Sequence, residues 1–385
     1  MKLRYIKLIL AAALALFFAK NSFAQDEADI DYVSLAQILV KDGYYQRAER
    51  TLKKIKEPET DQKALISSLW GMIYLQKKQY EKSLESFGQS LRQGIETKEV
   101  HLYRAEAYLQ LKKYNEAAVS IEKIDQQDKV KLPYYLIKAE ILWQQSEKKQ
   151  AWALLNTALA KGLSFGVIAK KKFYYFLEEG LYQSATDLAF KILENPNSFN
   201  DVLAMASQLR VKKQYDLSLK ILQTLQLMRP EKEMVALELA QNYLAKKESF
   251  SAALILEESA KHNTSLAFEA SELLRQVGKS YRARFLNMAT TDPEKHLKQK
   301  LALYLEEDDY HSLKFMIPQL KRNEMLADQD IRYAVAYSLF RTGDFKKSER
   351  YLNTIDKDGL FEKSIELKKE ISQCQEEKWA CSETI

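Results

Sequence analysis

Ser67-Ser68-Leu69-Trp70-Gly71-Met72-Ile73-Tyr74, then Lys77-Lys78-Gln79-Tyr80, then Ser83 and Phe87: this stretch decides the fold of the 385-residue chain. A small residue three before a large one, with a second small residue twelve positions after the first, marks two helices joined by a short turn. The signature returns at a constant interval of about 34 residues. Gly71, Ala105 and Ala139 form one series, and Tyr74, Tyr108 and Leu142 a second. Ser83, Ala117, Ala151 and Ala185 form a third, and Phe87, Ile121 and Leu155 a fourth. A two-helix unit of this length cannot bury its apolar face alone and must stack on copies of itself, so the sequence predicts an α-solenoid.

The pattern extends both ways from this copy. Upstream stand Ala36, Leu39, Tyr45, Ala48 and Leu52, closed by Pro58. Downstream, a looser copy has Phe173, Phe176, Tyr182 and Ala185. The frame then slips by one residue and resumes at Ala206, Leu209, Tyr215, Ser218, Leu222 and Pro230, and again at Ala240, Tyr243, Ala252 and Leu256. Around Gly278 the spacing fails; Leu301, Tyr304, Tyr310, Leu313 and Ile317 restore it, and Val335 to Leu352 make a last clear copy around Arg341-Thr342-Gly343-Asp344.

Taken together, these residues resemble the tetratricopeptide repeat family, whose unit of about 34 residues is a helix–turn–helix with Gly or Ala and then Tyr on the first helix, Ala on the second, and Pro at the end. The resemblance implies an all-α, right-handed α-solenoid of about nine to ten helix hairpins. A C-terminal capping helix, near Phe361 to Glu376, should close it with a Lys/Glu-rich outer face. The expected division is a signal peptide over 1–24, an N-terminal solenoid over 25–262, an irregular repeat or boundary over 263–293, and C-terminal repeats with the cap over 294–385.

The signal peptide is read from Lys2, Arg4 and Lys7 ahead of an apolar run from Leu8 to Ala19, then Ser22-Phe23-Ala24. That run falls short of the ~20 residues a spanning helix needs, so cleavage and export are expected over an uncleaved anchor. Residue 25 is Gln, and no Cys stands near the cleavage point to carry a lipid. A periplasmic location and, at most, peripheral membrane contact are the corresponding expectations. Four of the 59 basic residues lie in this segment, leaving 55 against 53 acidic ones. The balance gives no basic excess for nucleic acid.

Catalytic and cofactor chemistry have no foothold in the sequence. The four His, at 101, 262, 296 and 311, show no zinc-type spacing. No Gly-rich phosphate loop and no Gly-x-Ser-x-Gly elbow occur, so no cofactor is expected and the chain reads as a non-enzyme.

Resemblance instead implies a partner groove along the first helices. Its facing residues are Leu65, Met72, Leu75 and Gln76; Leu102, Glu106, Leu109 and Gln110; Leu136, Glu140, Trp143 and Gln144; then Tyr174 and Leu177. Gln76, Gln110 and Gln144 recur at the repeat interval beside a band of Leu, Met and Trp. Apolar anchors rimmed by amides suit a peptide or helix; the competing reading buries the band within the solenoid. Leu109 and Trp143 are expected to stay exposed. The positions at which family members place Lys, Arg and Asn to grip a C-terminal carboxylate hold Ser68, Leu102 and Leu136, or Met72, Glu106 and Glu140. That clamp is absent.

The function expected is a non-catalytic scaffold in a cell-envelope complex, with a protein or peptide partner; the sequence sets no oligomeric state. The alternative is an envelope glycan- or lipid-binding module. It would use Lys77-Lys78, Lys112-Lys113, Lys148-Lys149, Lys212-Lys213, Lys246-Lys247 and Lys346-Lys347, read as an edge of pairs at the ends of first helices. Pro318 is expected to bend or break its helix near Met316. Cys374 and Cys381 are the only cysteines. Export favours their pairing, but an unbroken helix would hold the Cα atoms about 10.5 Å apart, beyond the roughly 7 Å a disulfide spans. A disulfide therefore requires the helix to stop between them.

Overall fold

The computed structural model describes residues 31–94, 98–124 and 129–376. The expected signal peptide and Cys381 lie outside the described residues. The chain forms two compact units that divide between Lys172 and Phe173.

In the first unit, α1 (Tyr32–Lys41) pairs with α2 (Tyr45–Leu52), α3 (Gln62–Gln76) with α4 (Tyr80–Arg92), α5 (Lys98–Gln110) with α6 (Tyr114–Glu122), and α7 (Leu132–Gln144) with α8 (Lys148–Ala160). The unit boundary falls within α9 (Phe165–Glu178). The second unit continues with α10 (Tyr182–Leu193), then α11 (Phe199–Val211) and α12 (Tyr215–Met228), α13 (Glu233–Ala245) and α14 (Ser249–Ala260). It ends with α15 (Ala267–Gln276) and α16 (Ser280–Asn287), α17 (Pro293–Glu306) and α18 (Tyr310–Arg322), α19 (Gln329–Arg341) and α20 (Phe345–Leu352), and α21 (Leu360–Glu376). Among the described residues there are therefore ten helix hairpins of the tetratricopeptide form and one terminal helix, as the repeats imply.

Each hairpin closes in the same way. The residue that opens the second helix's cap donates its N–H back across the turn, as Gln79 does to the Tyr74 carbonyl, at 2.7–2.9 Å in all ten. The residue before it is left-handed: Gly43, Lys78, Lys112, Ser146, Gly180, Lys213, Lys247, Gly278, Asp308 and Gly343 have φ of 55 to 81°. Such a turn satisfies carbonyls that the helix end would otherwise orphan, which offsets the strain of placing a side chain there.

Small residues twelve apart bring the paired helices together. Ala36 faces Ala48, Gly71 faces Ser83, Ala105 faces Ala117 and Ala139 faces Ala151, all buried. Where the second-helix residue is Ser, its Oγ bonds the opposite carbonyl: Ser83 to Gly71 at 2.8 Å, Ser218 to Ala206 and Ser348 to Ala336 at 2.7 Å. Large residues fill the remaining space, and Phe87 is fully buried beneath Gly71.

Residues 263–293, expected to be irregular, hold a 3-10 turn at Thr264–Leu266 and the hairpin α15/α16. Here the hydroxyl changes sides: Ser271, on the first helix, donates to the Ala283 carbonyl at 2.7 Å. The cap α21 buries Leu367, Ile371 and Cys374 against Ala336 and Phe340 of α19 and exposes Glu362, Lys363, Glu366, Lys369 and Glu370.

The expected break at Pro318 is not found. Helix α18 runs from Tyr310 to Arg322 through the proline. The ring is on the exposed face, where the carbonyl it leaves unbonded can reach water, while Leu313, Met316 and Leu320 hold the helix on its buried side.

Candidate functional site

Three consecutive first helices of the first unit, α1, α3 and α5, together with the start of α2, enclose a cleft of about 390 Å³. Its floor is buried and apolar: Val40, Leu69 and Leu75. Leu65, Met72, Tyr45 and Tyr103 form half-buried walls, and Gln37, Lys41, Gln76 and Glu99 make an exposed polar rim. The helices place these residues by repetition. Gln37, Val40 and Lys41 occupy on α1 the places that Met72, Leu75 and Gln76 occupy on α3, and Leu65 and Leu69 on α3 correspond to Glu99 and Tyr103 on α5.

Tyr103 anchors one wall by stacking on Phe87, with ring centroids 6.2 Å apart and planes 10° from parallel. Its phenol is pushed above the usual tyrosine range, first by burial and then by Tyr45, Glu99 and Glu106. One turn further along α5, Glu106 is half-buried, and burial raises its carboxyl above the usual carboxylate range.

Glu140, its counterpart in the next repeat, contrasts with it. The Glu140 carboxylate pairs with Lys171 and accepts a bond from Gln144 Nε2 at 2.9 Å. At the same sequence offset from Glu106 that Lys171 has from Glu140, the chain places Ile137. Among the described residues, the same acid is ion-paired in one repeat and has no ion pair in the one before.

The sequence-expected groove is brought together only in part. Leu65, Met72, Leu75 and Gln76 line the cleft. Leu102, Leu109 and Leu136 are half-buried, and Gln110 is exposed, its Oε1 accepting from Tyr80 Oη at 3.5 Å. Trp143 corrects the expectation. It is only 7 % exposed, with the Lys148 ammonium 5.5 Å from its ring centroid, so it is a packing residue and no anchor for a partner. Leu177 is buried likewise, whereas Tyr174 is 44 % exposed and stands edge-on to Phe173 at 5.5 Å. Gln37, Val40, Lys41, Tyr45, Ser68, Leu69, Glu99 and Tyr103 were not among the expected groove residues. Carrying the repeat frame one copy back and one forward finds most of them.

The lysine edge also changes. Lys148-Lys149 and Lys346-Lys347 lie in the first turns of second helices, not at the ends of first ones. Lys77 pairs with Glu49 at 2.5 Å, Lys246 with Asp216 at 2.8 Å, and Lys347 with Asp344 at 2.8 Å. Cys374 lies on the buried face of the cap helix α21. Among the described residues, no group of three or more His, Cys, Asp or Glu could hold a metal, and no helix is long and apolar enough to cross a membrane.

No known protein-family profile matches the chain, and no curated protein matches it. Solved structures similar to it include the C-terminal part of a TPR repeat-containing protein from Cytophaga hutchinsonii: 16 % identity, 77 % of this chain and 98 % of that one covered, TM-score 0.36. A tetratricopeptide repeat protein from Parabacteroides merdae shows 16 % identity, 71 % and 98 % coverage and a TM-score of 0.32. The human IFIT1 dimer with m7Gppp-AAAA shows 14 % identity, 94 % and 88 % coverage and a TM-score of 0.35.

Proposed function

We propose that this chain is a non-catalytic interaction scaffold of the cell envelope, exported to the periplasm, that holds a segment of a protein partner in the cleft across α1, α3 and α5. The cleft itself carries this reading: a concave site with a buried apolar floor and a polar rim is suited to seating a side chain and fixing the chain that bears it. Export rests on residues 1–24, whose charged start, apolar run and small residues have the pattern of a secretory signal. The glycan- or lipid-binding alternative has less support, because several of the edge lysines are engaged by carboxylates of their own chain.

Met72→Glu tests the reading. It puts a charge into the half-buried wall and should abolish binding of peptides selected on the wild-type protein, with helical content retained and a stability loss of about 1–3 kcal/mol. Retained binding would move the site elsewhere. Fractionation of cells expressing the full chain tests export separately; recovery with the cytoplasmic fraction would overturn it.

A further inference from the structure

The cleft has a chemical bias that its apolar floor does not reveal. Four residues of α5, Glu99, Tyr103, Glu106 and Gln110, follow one another at intervals of four, three and four and so form a stripe along one helix face. The first two line the cleft. Burying a carboxylate without a counter-ion is costly, and a chain usually supplies one. This chain does so at Glu140 with Lys171. Glu106 has Ile137 where that lysine would be required, and it stays half-buried. The opposite end of the cleft carries Lys41 on α1, exposed at the rim. Glu99 thus makes the cleft rim anionic on the α5 side, with Glu106 further along the same stripe, and Lys41 makes it cationic on the α1 side.

We propose that the partner segment carries a Lys or Arg next to a large apolar residue, the cation pairing with Glu106 while the apolar side chain fills the space between Leu65, Met72 and Tyr103. The inference rests on the cleft being the partner groove. It goes further in naming the charge sign, because an acidic or neutral segment would leave Glu106 buried without compensation. A basic side chain supplies the counter-ion that Glu106 does not have among the described residues. Selectivity then follows from what a wrong segment leaves unpaired.

The test is selection from a random dodecapeptide display library on the purified wild-type chain, with Met72→Glu, Glu106→Gln and Glu106→Lys as parallel baits, each checked by circular dichroism. The expected result is that peptides enriched on the wild type, and lost on Met72→Glu, share a Lys or Arg beside Leu, Ile, Phe or Met. Replacing that cation by Gln, or Glu106 by Gln, should each weaken binding about tenfold, and the two changes together little more. Glu106→Lys should enrich Asp or Glu in its place. Met72-dependent peptides that lack a basic residue, or that bind Glu106→Gln undiminished, overturn the charge assignment and leave the groove standing. If no enriched peptide depends on Met72, both fall. Should Glu106→Gln alter the circular dichroism, the peptide Lys→Gln exchange on wild-type protein decides.

Discussion

A Cβ placed on Gly71 would lie 2.5 Å from Cε1 of Phe87, closer than side chains pack, so the glycine and the phenyl ring beneath it are mutually required. Ala is the better helix former by about 1 kcal/mol, but the clash outweighs it. Gly71→Ala should destabilise the chain by about 1–3 kcal/mol, the usual cost of overpacking. Phe87→Leu should relieve part of that in the double variant, and a double-mutant cycle by urea unfolding would show the coupling.

Left-handed turn residues make a second pair of expectations. Lys78 has φ of 59° and Gly343 of 74°. Lys78→Gly should stabilise by about 0.5–1 kcal/mol and Gly343→Ala should destabilise by about 1 kcal/mol. Thermal melts with opposite shifts would check both.

Trp143 is buried, so its truncation tests packing. Trp143→Ala should cost about 3–5 kcal/mol of stability. A variant of wild-type stability, read by chemical denaturation, would return the ring to the groove surface.

Glu272 gives the pH dependence. Hydrogen bonding from Arg275 is the main cause that brings its carboxyl from 4.5 to about 2, against desolvation and with help from Gln299 and Gln276. A depressed folded-state value means the ionised form favours the fold. The contribution is complete above the unfolded value of about 4.5 and is lost as pH falls toward about 2. The stability gap between wild type and Glu272→Gln should therefore be level at neutral pH and narrow across that window. A gap that widens on acidification would reverse the assignment.

Pro318 supplies the last prediction. Since α18 passes through it unbroken, Pro318→Ala should restore a backbone bond without moving the helix. It should stabilise by about 1–3 kcal/mol, less the entropy the proline removes from the unfolded chain. Thermal unfolding would measure it.

Most of the ten hairpins were readable because Gly71, Ala105, Ala139 and their partners are fixed by close helix approach, which leaves few residue types allowed. Legibility failed around Gly278 for a geometric reason. The left-handed turn residues Lys247, Gly278 and Asp308 follow one another at shorter intervals than Lys78, Lys112, Ser146 and Gly180 do, and the hydroxyl bond runs from Ser271 instead of from the second helix. A constant frame cannot follow that shortening. The groove was harder still, because a large apolar residue on a first helix can face either the open side or the seam between helices. Met72 lines the cleft and Trp143 is buried, and composition does not separate them. The unpaired state of Glu106 could be seen only once Lys171 was found beside Glu140.

The exposed lysines at the turns have one more consequence. Lys77-Lys78, Lys112-Lys113 and Lys212-Lys213 set trypsin sites at junctions between a first helix and its partner. Cleavage requires the bonds that close the turn to open, so the rate at each site follows the fraction of time its hairpin spends open. Limited digestion followed by mass spectrometry would then read the chain as a set of clocks, one per junction, each reporting how firmly its own repeat is held.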